Sequence, residues 1–275
     1  VSSEARLLEL RDITVEFRIG ARGGRRSRVI RPCDDVSLDV RPGETVGLVG
    51  ESGAGKSTLG RVAVMLQRPG SGEVRYQGRD LSRLPRTELR RARASMQMIF
   101  QDPRSSLNPR WRAGRSILRP LEIHGLGAWA DREEALAELL AGVGLDPGMA
   151  SRYPHELSGG QAQRVCIARA FALRPGLVVA DEALSALDVT TQASIIELMM
   201  GLQERHGTAF LFISHDLRAV RRLSARVAVM NQGRLVECRP TAELFDDPRE
   251  QYTRKLLTDV VHARESTQPT PGNGV

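Results

Sequence analysis

Thr45-Val46-Gly47-Leu48-Val49-Gly50-Glu51-Ser52-Gly53-Ala54-Gly55-Lys56-Ser57-Thr58 is the stretch on which the fold turns. Its first five residues are mostly apolar and run into glycine, which predicts a buried strand ending in a turn. Lys56 to Leu66 has helical spacing and is closed by Pro69-Gly70. Between strand and helix, Gly50 to Ser57 fits G-x-x-x-x-G-K-[ST], and the pattern has meaning in that setting. The glycines let backbone amides turn inward and converge on an anion. The helix N-terminus adds its partial positive charge. Gly50, Glu51, Ser52, Gly53, Ala54 and Gly55 are therefore expected to wrap phosphates, with Lys56 reaching the β- and γ-phosphates and the Ser57 hydroxyl ligating Mg²⁺.

Working outward, strand-like and helix-like segments alternate, which predicts an α/β fold. Leu7 to Phe17 and Val36 to Val40 alternate like half-buried strands, and Glu73 to Tyr76 and Met96 to Phe100 read as further short strands. From Pro103 to about Ala172 the strand patterns vanish, and Asp131 to Ala141 and Gly159 to Phe171 are helical in period. This predicts a helical subdomain, approximately residues 103–172, inserted into one sheet domain spanning 1–262. Strands resume at Leu177 to Ala180, Ala209 to Ile213, Val227 to Met230 and Arg234 to Glu237. Residues 263–275 are rich in Pro, Gly and Thr and predict a disordered tail. No internal repeat is visible, so one nucleotide-binding unit is expected.

Composition narrows the class. The chain has 275 residues, 41% hydrophobic and 27% charged, as soluble globular proteins do. No apolar run approaches the roughly 18 residues of a membrane-spanning helix. Glu4, Arg6 and Glu9 do not match a secretory signal. Cys33, Cys166 and Cys238 lie far apart without a CxxC pair, which argues against a disulfide framework or zinc site and for a reducing cytoplasm. The net charge of +7 raises the question of nucleic acid. Of the 40 basic residues only Lys56 and Lys255 are lysine, a bias that points to genome composition, and aromatics for base stacking make up 4%. The densest basic cluster, Arg18 to Arg28, is Gly-rich and reads as an exposed loop.

Two more stretches carry chemistry. Leu177-Val178-Val179-Ala180 runs into Asp181-Glu182, and two carboxylates at the end of a buried strand are costly unless they meet a cation or substrate. Beside a phosphate loop, Asp181 suits the Mg²⁺ shell and Glu182 suits a base acting on the attacking water. Leu157-Ser158-Gly159-Gly160-Gln161 precedes a helix, with Ser158 as natural N-cap and two glycines exposing first-turn amides. That is a second anion site or a plain helix cap. Two such sites in one phosphate-loop chain suggest that a second copy, or a relative, contributes across an interface.

GESGAGKS, LSGGQ and VVADE in this chain resemble the motifs of an ABC ATPase. Gln101 in IFQDP resembles the Q-loop, Ser185-Ala186-Leu187-Asp188 the D-loop and His215 in FISHD the switch histidine. Phe17 matches the aromatic that stacks on adenine. The resemblance covers Leu7 to Tyr252 and implies a P-loop core with an N-terminal antiparallel β subdomain and an inserted helical subdomain. MQMIFQDPRSSLNPR, RYPHELSGGQ and QYTRKLL are similar to the oligopeptide, dipeptide and nickel importer ATPases. Ala183 and Leu184 stand where Pro and Thr are commoner, and Ala162 where Arg is commoner; these departures miss the chemical groups.

The resemblance implies ATP and Mg²⁺ as ligands and a head-to-tail pair of ATPase subunits, either a homodimer or a paralogous heterodimer. Lys56, Ser57, Thr58, Gln101 and Asp181 would hold phosphates and Mg²⁺, Glu182 would be general base, and His215 would contact the γ-phosphate. Ser158, Gly159 and Gly160, within Leu157 to Gln161, would cap the nucleotide held by the partner, with Asp188 nearby. Two transmembrane permease subunits would dock on the helical subdomain, and an extracellular substrate-binding protein would act indirectly. The expected location is the cytoplasmic face of the cell membrane. The alternatives are a soluble ABC ATPase acting on nucleic acid or ribosomes, an exporter subunit, and a regulatory subunit without turnover.

Overall fold

The structure, a computed structural model, describes residues 6–19, 28–126 and 132–265. β1 (Leu8–Ile19) and β2 (Arg28–Val40) form a long antiparallel pair. β3 (Thr45–Val49) leaves them for a second sheet and feeds α1 (Lys56–Ala63). β4 (Ser71–Tyr76) and β5 (Arg79–Asp80) return to the first sheet, ordered β2-β1-β4-β5. α2 (Arg86–Ala94) and β6 (Met96–Ile99) follow.

The next stretch is helical: α3 (Ala113–His124), α4 (Arg132–Gly142), 3-10 turns at Pro147–Ser151 and Pro154–Glu156, and α5 (Gly159–Phe171). No strand lies among its described residues. The chain then gives β7 (Leu177–Asp181), α6 (Val189–His206), β8 (Ala209–Ile213) and α7 (Leu217–Leu223). It ends with β9 (Arg226–Asn231), β10 (Arg234–Pro240), α8 (Thr241–Asp246) and α9 (Gln251–Glu265). The second sheet has the order β10-β9-β3-β8-β7-β6, parallel from β9 to β6, with β10 antiparallel at its edge.

Every residue of β3, β7 and β8 is buried, which is why they read as apolar runs rather than as alternation. The faces still alternate. Leu177 and Val179 join one core with Val46, Leu48, Leu59 and Ile13, under the antiparallel sheet and α1. Val178 and Ala180 join the other with Phe210, Phe212, Ile167 and Ile195, under α5 and α6. The parallel sheet is thus the middle layer, with both faces covered. Among the described residues, no helix is long and apolar enough to cross a membrane.

Several expected boundaries move. α1 stops at Ala63 rather than Leu66, because Met65 takes φ 56° and the amides of Met65 and Leu66 turn back to Val62 and Arg61. β2 begins at Arg28, well before Val36, because Asp35 at φ 58° accommodates an irregularity that breaks the polar–apolar alternation. α2 buries only Leu89 and so carries no apolar stripe to announce it. α9 runs to Glu265, past the boundary expected near His262. Most of the Arg18–Arg28 cluster, residues 20–27, and the tail 266–275 lie outside the described residues.

Candidate active site

Ligands of open α/β sheets bind beyond the carboxyl ends of the strands. Here β3, β8, β7 and β6 lie side by side. Beyond their ends stand, in that order, the Gly50–Lys56 loop, His215, the Asp181-Glu182 pair and Gln101. Segments far apart in sequence meet there because parallel pairing aligns their ends: Asp181 sits opposite Ile213, and Ile99 opposite Ala180.

Gly50, Gly53 and Gly55 have φ of 147°, 84° and 106°. At two of them space is as restrictive as the dihedral. A Cβ on Gly50 would lie 2.1 Å from the Met230 carbonyl oxygen, and one on Gly55 1.8 Å from that of Pro32; Gly53 meets nothing within 4 Å. Gly53→Ala is therefore expected to cost about 1 kcal/mol of backbone strain, and Gly55→Ala about 3 kcal/mol or more, since the loop must move. Urea unfolding of the two variants measures the difference; equal costs would show that close approach does not constrain Gly55.

α1 begins at Lys56, and its N-cap, Gly55, offers no side-chain cap. By contrast Ser158, Asp188 and Asp216 each cap their helices. An uncapped helix start beneath a glycine loop leaves amides for an outside acceptor. Lys56 is 5% exposed, and its Nζ donates to the carbonyls of Gly50 (2.7 Å) and Glu51 (2.9 Å). Burial pushes its pKa down, while the charges of Glu182 and Asp181 push it up; the net direction is down.

Ser57 Oγ donates to Asp181 Oδ1 at 2.7 Å. Burial raises the Asp181 carboxyl above its ordinary range, against the Ser57 hydrogen bond and the charge of Arg61. A hydroxyl and a carboxylate are hard oxygen donors. They fit Mg²⁺, which takes one or two protein ligands and completes its shell with phosphate and water.

Glu182 occupies the left-handed region at φ 48°, a conformation worth about 1–3 kcal/mol of strain in a residue with a side chain. Its N–H donates to the Ile213 carbonyl at 2.9 Å, and its own carbonyl accepts from the Ser185 amide and hydroxyl. So held, Glu182 Oε2 accepts from Gln101 Nε2 at 3.0 Å and lies 3.7 Å from His215 Nδ1.

The LSGGQ segment forms a separate locus. Ser158 Oγ accepts from the Gln161 amide (3.2 Å), and the Ser158 amide donates to Gln161 Oε1 (2.9 Å), a reciprocal capping box. A Cβ on Gly160 would fall 2.6 Å from Thr191 Cγ2, so this turn packs on the start of α6. There Asp188 accepts from the Thr191 amide and hydroxyl. Leu157 is buried, and its carbonyl accepts from the Arg104 guanidinium at 2.8 Å. That bond ties the segment following Gln101 to the residue that precedes Ser158.

Phe17 is 44% exposed on β1 and lines a hollow with Thr14, Gln67, Arg68 and Pro69. Sequence reasoning did not single out Tyr252, whose hydroxyl accepts from the Glu51 amide, nor Arg104. Both lie in stretches that carry the resemblance, Tyr252 in QYTRKLL and Arg104 in MQMIFQDPRSSLNPR, but neither side chain's chemistry fixes a role before its distant partner is known.

The ABC transporter family profile matches residues 33–185. Over 268 residues the chain is 46% identical to the oligopeptide transport ATP-binding protein AppF of Bacillus subtilis, covering 96% of this chain and 81% of that one. Over 257 residues it is 49% identical to the glutathione import ATP-binding protein GsiA of Pectobacterium atrosepticum, covering 92% of this chain and 41% of that one. It thus spans less than half the length of GsiA. Among solved structures, the dimeric ATP-binding cassette MJ0796 bound to ADP and Pi has a TM-score of 0.76 at 29% identity, covering 85% of this chain and 98% of that one. CbiO1 from Clostridium perfringens has a TM-score of 0.77 at 22% identity, covering 95% and 100%, and shares the fold.

Proposed function

The chain belongs to the ABC transporter family, and from that premise we propose that it is the ATP-binding, ATP-hydrolysing subunit of an importer for peptides or nickel complexes. The observation that carries the reading is the meeting of Gln101, Glu182 and His215 at the strand ends that also hold Lys56, Ser57 and Asp181. Lys56 turns its ammonium from the Gly50 and Glu51 carbonyls toward β- and γ-phosphate oxygens. The amides of Gly53 to Thr58 complete the cradle, and Phe17 offers a ring to the adenine. Ser57, Asp181 and Gln101 would hold Mg²⁺, which when bound neutralises charge on the phosphates. Glu182 accepts a proton from the attacking water as its oxygen bonds to the γ-phosphorus and the bond to ADP breaks. Gln101 orients that carboxylate, and His215, beside it, contacts the γ-phosphate.

The site is half of a pair. The relative MJ0796 is described as dimeric, and the second anion site at Ser158, Gly159 and Gly160 is offered to the nucleotide of an opposed subunit. That subunit is a second copy or a paralogue. Two permease subunits and an extracellular binding protein complete the machine, at the cytoplasmic face of the membrane. AppF and GsiA are named for oligopeptide and glutathione transport, which favours a peptide cargo and transport over nucleic-acid or ribosome work.

Mg²⁺-dependent phosphate release by the purified chain tests this reading. The rate per chain is expected to rise with protein concentration, since each site needs two chains. A rate per chain that is constant over a hundredfold dilution would rule out the shared site, and failure to bind ATP would rule out the reading itself.

A further inference from the structure

Tyr252, at the start of α9, lies 201 positions from Glu51, yet its hydroxyl accepts the Glu51 amide proton at 3.1 Å. The peptide unit involved is the one joining Gly50 to Glu51. Its carbonyl, that of Gly50, accepts from Lys56 Nζ at 2.7 Å. One peptide plane is therefore held at both polar ends, by an ammonium on one side and a phenol on the other. Such a plane needs holding: Gly50 has no side chain to resist a flip, and a flip would turn an amide out of the phosphate cradle.

The phenol is itself fixed. Its ring packs on the core under α5 and α6. The carboxylate of Glu237, buried on β10, accepts from the amides of Arg249 (3.0 Å) and Glu250 (3.2 Å), pinning the entry to α9. Arg254 closes the same turn by donating to the carbonyls of Pro248 and Arg249. A path of hydrogen bonds and packing thus runs from the edge strand through α9 to the phosphate loop.

We propose that Tyr252 is a positioning residue for nucleotide binding, holding the Gly50–Glu51 peptide in register when Lys56 leaves it for the phosphates. The inference rests on the ATP-binding reading above. While Lys56 sits on the Gly50 carbonyl, the Gly50–Glu51 peptide plane is held at both polar ends; once the ammonium engages phosphate, the hydrogen bond to the Tyr252 hydroxyl is the one that remains on that plane. Its loss therefore weakens the nucleotide-bound state more than the free one.

Tyr252→Phe keeps the ring and removes the acceptor. The Kd for Mg-ATP and the KM are expected to rise about fivefold, the worth of one neutral hydrogen bond, with kcat within about twofold. Exchange of the Glu51 amide proton should accelerate, and the thermal midpoint without nucleotide should hold. Glu237→Ala frees the start of α9 and is expected to raise Kd similarly, adding little to Tyr252→Phe. Unchanged Kd and unchanged Glu51 protection in Tyr252→Phe would overturn the proposal, as would a fall in kcat at constant KM. If the unaltered chain failed to bind ATP, the fault would lie with the functional reading and not with Tyr252.

Discussion

Glu182→Gln is expected to lower Mg-ATP turnover about 10³-fold, within the range of general-base catalysis, while ATP binding stays intact. The substitution is nearly isosteric and leaves the backbone at φ 48°, held by the Ile213 carbonyl and the Ser185 turn. The amide oxygen can still accept from Gln101 Nε2, so the local geometry survives. What disappears is the carboxylate proposed to take the proton of the attacking water. The variant should accumulate an ATP-bound dimer, visible by gel filtration and by single-turnover phosphate release. Turnover within tenfold of the unaltered chain would remove Glu182 from the role of base.

Lys56→Ala is expected to raise the Kd for Mg-ATP about 10²-fold or more. Hydrogen bonds to a charged group are worth about 1.5–3 kcal/mol each, and Lys56 is placed to make two. Stability without nucleotide should change little, because the lost hydrogen bonds to Gly50 and Glu51 are offset by removing an ammonium that burial disfavours. Lys56→Arg should not rescue binding. The site is 5% exposed and fits a compact ammonium, whereas a planar guanidinium is larger and forks its donors. Calorimetric titration measures both variants; near-normal affinity in either would deny Lys56 its place on the phosphates.

Most of the architecture was legible because its signals are local. Thr45 to Val49, Leu177 to Ala180 and Ala209 to Ile213 are almost continuously apolar, as strands covered on both faces tend to be. α5 begins where Ser158 can cap it. α2 was not legible, since nine residues burying one leucine leave no periodic trace. The early start of β2 was hidden by Asp34 and Asp35, whose polarity imitates a turn.

By itself the sequence determined the phosphate loop. The glycines of Gly50 to Ser57 permit positive φ by local sterics, and the apolar strand and the helix on either side place the loop between them. Only the tertiary structure decided what the loop faces. The order β3-β8-β7-β6 brings Gln101, Glu182 and His215 together, and the docking of α9 sets Tyr252 against Glu51. These are contacts between residues far apart along the chain. No local propensity encodes them; they follow from how the two cores pack the sheet between them.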